Sequence, residues 1–333
     1  METSGRRADA TMFGFEFQTA AAIVLFIENM KDVKSLRLEG CEDIHLNLND
    51  GQLILAQAKA VQRPREDFSN VTKNLKKALT SLSEAGKEGN ARALIYITNS
   101  IKPFGKKFDS LERPTWQTYD SLTKNERSVI DKYLDQIEYP LEKEVFRLEV
   151  IAFDTDDDRE KYKYIKYIIN KFLVDLRVAQ LISGDQILDV WQTYVFKSGT
   201  KRSAELMLSK EQLIWILVAE MIDSQTIPEE LSEEIDEGLV DEVSCQYKKL
   251  IRERMDNFEF TSKVLSDFQN FRKGKTRNHI CLDFSLGMAE KYLNDLQASQ
   301  LDEEMRKILL QIILYLIVSN RIRINQIKNG VGL

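Results

Sequence analysis

Three residues carry chemistry by their types and their spacing. Asp43 stands near the start of EDIHLNLN (42–49), and Gln57 and Lys59 close QLILAQAK (52–59), with Asn49-Asp50-Gly51 between the two segments. The first segment alternates apolar and polar residues and so reads as a strand. Asn-Asp-Gly reads as a hairpin turn, because Asn and Gly accept positive φ. A hairpin turning near residue 50 folds 57–59 back to the level of 43, since 43 and 57 lie equally far from the turn. Gln57 and Lys59 are two residues apart and share a face, and Asp43 belongs to the polar face of its own strand, with His45 and Asn47. A carboxylate, an amide oxygen and an ammonium then meet at one end of a sheet. Hard oxygen donors of this kind suit Mg²⁺, with Mn²⁺ as a substitute, because such an ion keeps several waters and binds phosphate oxygens. A lysine beside it can orient a water and stabilise its hydroxide form. The predicted chemistry is hydrolysis of a phosphodiester.

The flanking elements must hold that hairpin. Residues 13–30 (FGFEFQTAAAIVLFIENM) place Phe13, Phe17, Ala20, Ala21, Val24 and Ile27 at three- and four-residue steps, which predicts an amphipathic helix. SLRLE (35–39) is a first short strand, followed by the two strands of the hairpin. Residues 67–86 predict a helix, with Asp67 or Ser69 to cap its start and Gly86 to end it. ARALIYITNS (91–100) is a nearly continuous apolar run, as expected of a strand covered on both faces. The order is α-β-β-β-α-β, an α/β core with a mixed sheet. Beyond it we expect a helix around 123–137, a strand at 145–153 and a helix over 162–182. Later helical periodicity falls at 209–223, 229–255, 257–272, 284–298 and 302–320. We place a domain boundary near Lys197 to Arg202, giving a catalytic domain over 1–200 and an all-α module over 201–333.

Asp, a hairpin, then Gln-x-Lys behind a leading helix resembles the PD-(D/E)XK nucleases, whose restriction-endonuclease-like core has this α-β-β-β-α-β order. GFEFQ (14–18), EDI (42–44), QAK (57–59) and the strand ending in Thr98-Asn99 look like the double-stranded-DNA nuclease domain of bacterial anti-phage effectors. Such domains occur in CBASS effectors, in Lamassu nuclease subunits and in nucleases paired with HerA-type ATPases. The resemblance spans residues 10–100 well and 101–215 loosely. It implies Asp43 as the metal-binding aspartate, Lys59 as the catalytic lysine, and Gln57 where many members have Glu or Asp. Gln18 or Glu16, with Gln18 favoured, would face the site from the first helix, and Glu39 would supply the missing carboxylate. Arg63, Arg65, Lys73, Lys76 and Lys77, with Lys102, Lys106 and Lys107 beyond the fourth strand, are candidates for holding a duplex backbone without reading sequence.

Composition narrows the alternatives. The chain has 333 residues, 43% hydrophobic and 30% charged, with two His and three Cys. His45 and His279 are too few for a His-rich zinc hydrolase or an HNH-type nuclease. Cys41, Cys245 and Cys281 form no C-x-x-C pair, so a zinc knuckle or a disulfide framework is unsupported, and sparse thiols fit a reducing cytoplasm. The amino terminus lacks signal-peptide order, and the apolar run 308–318 is short for a membrane span, which needs about 20 residues. A cytoplasmic protein without a membrane role is expected. The net charge of −6 divides unevenly: residues 1–110 hold 16 Lys+Arg against 14 Asp+Glu, and the remainder 31 against 39. Gly274-Lys275-Thr276 is no P-loop, since Gln269 stands where Gly is required. Asp154 to Asp158 lacks the Gly and Glu of a calcium loop.

The expected function is a sequence-nonspecific, Mg²⁺-dependent DNA endonuclease, the effector subunit of an anti-phage system. The acidic helical module would serve a homo-oligomer or dock an ATPase or sensor subunit of HerA or SMC type. The alternative is a catalytically weak scaffold coupling DNA to such an ATPase. RNA or single strands remain open as substrates.

Overall fold

The computed structural model describes residues 2–40, 42–111, 114–154, 158–199, 207–223, 231, 257–273, 279–295 and 302–333. The chain divides into two compact units. One comprises Met1–Phe172 and Leu188–Lys210, the other Leu173–Ile187 and Glu211–Leu333. The segments interleave, so a single cut near residue 200 does not describe the division.

The first unit is α/β. Helix α1 (Glu2–Glu28) leads into strands β1 (Val33–Leu38), β2 (Ile44–Leu48) and β3 (Leu53–Lys59), then helix α2 (Val71–Ala85) and strand β4 (Ala91–Thr98). Strand β5 (Thr115–Thr118), helix α3 (Lys124–Leu134) and strand β6 (Phe146–Val150) follow. Helix α4 (Asp158–Lys161), most of α5 (Lys163–Asp175) and of α6 (Gly184–Gly199), and the two-residue strand β7 (Leu208–Ser209) complete the series. The seven strands form one mixed sheet in the order β5-β6-β4-β3-β2-β1-β7. Strands β1, β2 and β3 are an antiparallel meander, while β3, β4 and β6 run parallel.

Alternation along the strands divides the core into two layers. Leu55, Leu94, Tyr96 and Leu148 face α2 and α3, where Leu75, Leu79, Leu82 and Ile130 meet them. The opposite face is covered by α1, whose Phe17, Ala20, Ala21 and Val24 are fully buried. The Phe153 ring meets Phe13 at a tilt and Phe17 edge-on, at centroid distances of 5.2 and 5.4 Å. On length and composition alone Asp9–Glu28 could cross a membrane. Its packing makes it the core helix of this unit.

Several elements depart from the sequence reading. The expected helix over 162–182 ends at Asp175, because Arg177 takes φ of +61° and turns the chain. A new helix, α6, then starts behind a capping box: the Ser183 N–H donates to Gln186 Oε1 at 3.0 Å, and the Gln186 N–H donates to Ser183 Oγ at 3.3 Å. Neither Asp67 nor Ser69 caps α2. Asp67 instead accepts from the Ser69 N–H and hydroxyl, and Asn70 holds the cap position without a side-chain bond. Gly86 is right-handed, and the left-handed residue of that turn is Gly89, φ +72°. Strands β5 and β7 were not foreseen.

The second unit is helical where described. It holds most of α7 (Lys210–Asp223), with α8 (Asn257–Phe271), α9 (Ile280–Met288), α10 (Glu303–Ser319) and α11 (Arg321–Val331). Asp302 caps α10 by accepting from the Met305 N–H at 2.8 Å. Helix α10 is apolar around most of its circumference, and nine residues between Ile308 and Val318 are buried, among them side chains facing α8 and α9. The chain bends by 63° into α11, where the Asn320 amide donates back to Leu316 O. Apart from Leu231, the helix expected over 229–255 lies outside the described residues, as does the Gly274-Lys275-Thr276 segment.

Candidate active site

The hairpin folds as its spacing requires. Gly51 takes φ of +83° in the turn, and the pairing places Ile44 opposite Ala56 and Leu46 opposite Ile54. Extending that register by one step puts Asp43 level with Gln57. Strand β3 then lies parallel to β4, with Lys59 opposite Thr98, so the site sits at the carboxyl ends of parallel strands, a common location for ligands in α/β sheets.

Asp43 is the hub. Its Oδ2 accepts from Lys59 Nζ at 2.8 Å and from the Ala58 N–H at 3.0 Å, and its Oδ1 accepts from Gln57 Nε2 at 3.2 Å. Gln57 Nε2 also donates to Glu42 Oε2. Gln57 and Glu42 are both buried, and the Lys59 side chain is 28% exposed. Burial pushes the Glu42 carboxyl up to about 7. The charge of Asp43 adds to that rise, while the Gln57 hydrogen bond and Lys59 oppose it.

Glu39 closes the other end of the β1–β2 turn. It takes φ of +52°, its N–H donates to Asp43 O at 3.0 Å, and the Gly40 N–H donates to Glu42 O at 3.0 Å. The side chain is exposed and accepts a hydrogen bond from Gln18 of α1. Partial burial, chiefly, and then the charge of Asp43 raise its carboxyl above the usual range. Gln18 therefore reaches the site through Glu39. Glu16 does not: it pairs with Lys161 of α4, whose ammonium lies 5.4–5.5 Å from the ring centroids of Phe13, Phe153 and Tyr162.

The end of β3 is pinned from β4. The Thr98 hydroxyl donates to Lys59 O at 2.8 Å. Asn99, fully buried, accepts from the Val61 N–H and donates to Val61 O and Phe153 O, each at 2.8 Å. The chain leaving β3 is thus tied to the chain leaving both β4 and β6.

An open cleft of about 500 Å³ adjoins these groups. Gln57 and Lys59 line one side of it, and Lys73, Lys76, Lys77, Thr80 and Ser81 of α2 line the other. Lys76 is tethered to Gln136 Oε1 at 2.8 Å. Arg63 and Arg65 do not line this cleft; Arg63 forms a local pair with Glu66 at 3.8 Å. Lys102 packs over the Phe68 ring instead. His45, also on the polar face of β2, shares a hydrogen bond with Asn47 at 3.1 Å.

Sequence reasoning missed Glu42. Its signal was the acidic density of the turn, with three carboxylates between 39 and 43. Comparison with protein-family models, curated proteins and solved structures returned no match.

The donor types suit a hard divalent cation, since two carboxyl groups and an amide stand side by side, although in this structure the amide turns its nitrogen toward the carboxyls.

Proposed function

We propose that the first unit is a metal-dependent nuclease of the PD-(D/E)XK kind that cleaves the DNA backbone with little regard to sequence. The observation that carries this reading is the Lys59–Asp43–Gln57 cluster opening onto a cleft whose far wall presents three lysines. Asp43 and the side-chain oxygen of Gln57 would hold Mg²⁺, which when bound supplies positive charge to polarise a phosphoryl oxygen. Lys59 is aligned by Asp43 and partly exposed to the cleft. Its ammonium orients the attacking water and faces the charge that builds on the phosphate as the P–O bond to the leaving oxygen breaks. Lys73 and Lys77 take the neighbouring phosphates as point charges. Lysine contacts to phosphates carry no sequence information, which favours binding through the backbone.

The wider reading is an anti-phage effector held inactive until it assembles or meets an ATPase or sensor subunit. It rests on the sequence resemblance and on the acidity of the C-terminal two-thirds of the chain.

Plasmid cleavage with Mg²⁺ and with EDTA, by the full chain and by Lys59→Ala, tests the site. Metal-dependent nicking that disappears in Lys59→Ala supports it. Cleavage that survives in Lys59→Ala places the chemistry elsewhere.

A further inference from the structure

Gln57 is neutral, so the cluster of Asp43, Gln57 and Lys59 offers a cation only one formal negative charge, and it has an ammonium beside it. A divalent ion needs more charge than that to hold against water. The 39–43 turn supplies two further acids, and their surroundings separate them. Glu39 is exposed, sits at the left-handed corner of the turn and is tied to Gln18 of α1. Glu42 is buried, and it shares the single nitrogen of Gln57 with Asp43.

Two carboxyl groups that accept from one nitrogen bracket a single point in space. The partial positive charge of the amide already stands at that point. Among the described residues Glu42 forms no salt bridge, since the Lys59 ammonium that acts on it through space is bonded to Asp43, and a buried acid beside a carboxylate is costly unless a positive group joins them.

We propose, on the nuclease reading above, that Glu42 and not Glu39 is the second carboxylate of the metal site. Asp43 and Glu42 form the charged pair; the Gln57 nitrogen bridges them in this structure, and an ion taking its place would be met by the Gln57 oxygen after the amide turns over. The neutral residue at position 57 is thereby offset by an acid next to Asp43 in sequence. Glu39 and Gln18 form a separate brace that fixes the turn to α1.

The test is Mn²⁺ binding by the full-length chain, read from loss of the free-ion electron paramagnetic resonance signal, without substrate. Asp43→Asn, Glu42→Gln and Glu39→Gln are compared with the parent, and circular dichroism confirms that each is folded. The expected result is binding weakened about tenfold or more in Asp43→Asn and Glu42→Gln, and changed less than about threefold in Glu39→Gln. If Glu42→Gln does not fold, Glu42→Leu replaces it, and parent-like affinity there overturns the proposal. Parent-like affinity in Glu42→Gln beside a loss in Asp43→Asn also overturns it, while the nuclease reading stands. A loss in Glu39→Gln with none in Glu42→Gln assigns the second carboxylate to Glu39. Absence of any Mn²⁺ binding that Asp43→Asn removes would end both readings.

Discussion

Lys59 Nζ stands 2.8 Å from Asp43 Oδ2, an oxygen that also accepts from the Ala58 N–H. The pair is partly open to water, so its contribution to stability is about 1 kcal/mol or less. In the proposed reaction the same ammonium acts on the phosphate. Lys59→Met should therefore shift the melting temperature by only a few degrees while the cleavage rate falls about 100-fold or more. A collapse in stability as large as the loss of rate would mark Lys59 as structural. Calorimetry and initial nicking rates on the same preparation separate the two.

The lysine wall of the cleft makes a prediction in salt. Each phosphate contact contributes about 0.9 to the slope of log affinity against log salt. Lys73→Gln with Lys77→Gln should lower that slope by about 1–2 for a fluorescent duplex held by the Lys59→Met protein. Mn²⁺ affinity should stay unchanged in the double variant. An unaltered slope would remove α2 from the DNA path.

Glu42 sets a pH window. Its folded value near 7 lies above the ordinary 4.5, chiefly through burial. The folded state then holds a proton that the unfolded state releases, so this acid's favourable share of stability is complete below about 4.5 and is lost as pH rises to about 7. The loss is at most about 3 kcal/mol. Urea titrations without metal from pH 4 to 8 should show the parent losing ground to Glu42→Gln across that window and no further above it. A difference that is flat with pH would rule out the raised value.

Asn99 makes three hydrogen bonds in a fully buried setting. Asn99→Asp keeps an acceptor for the Val61 N–H and strips the donors from Val61 O and Phe153 O. Each unsatisfied buried group costs about 1–3 kcal/mol, and a buried carboxylate adds more. Destabilisation of roughly 3 kcal/mol or more is expected in chemical denaturation. A loss below 1 kcal/mol would show that β3 is not held from β4 in this way.

The hairpin was readable because strict alternation from Asp43 to Asn49 leaves one register, and Asn49-Asp50-Gly51 fixes the turn about which 43 meets 57. Glu42 was not readable from that argument. Alternation puts it on the apolar face with Ile44, whereas in the structure its carboxyl accepts from Gln57. The failure at 162–182 has a similar origin. Apolar steps of three and four continue past Asp175, while the break rests on a backbone angle at Arg177 that residue type does not announce. Ser183-Gly184-Asp185-Gln186 did carry the start of α6, as Ser with Gln three places on. Strand β5 has only four residues and follows Pro114, so its pairing with β6 decides it.

The bonds of Asn99 also impose an order of events during synthesis. The Asp43, Gln57 and Lys59 side chains have all left the ribosome once residue 59 has emerged. The backbone at Lys59 and Val61 lacks its side-chain bonds from β4 until Thr98 and Asn99 arrive, and Asn99 lacks one of its acceptors until Phe153 does. The nascent chain therefore carries the reactive groups for about a hundred residues of elongation before their geometry is set.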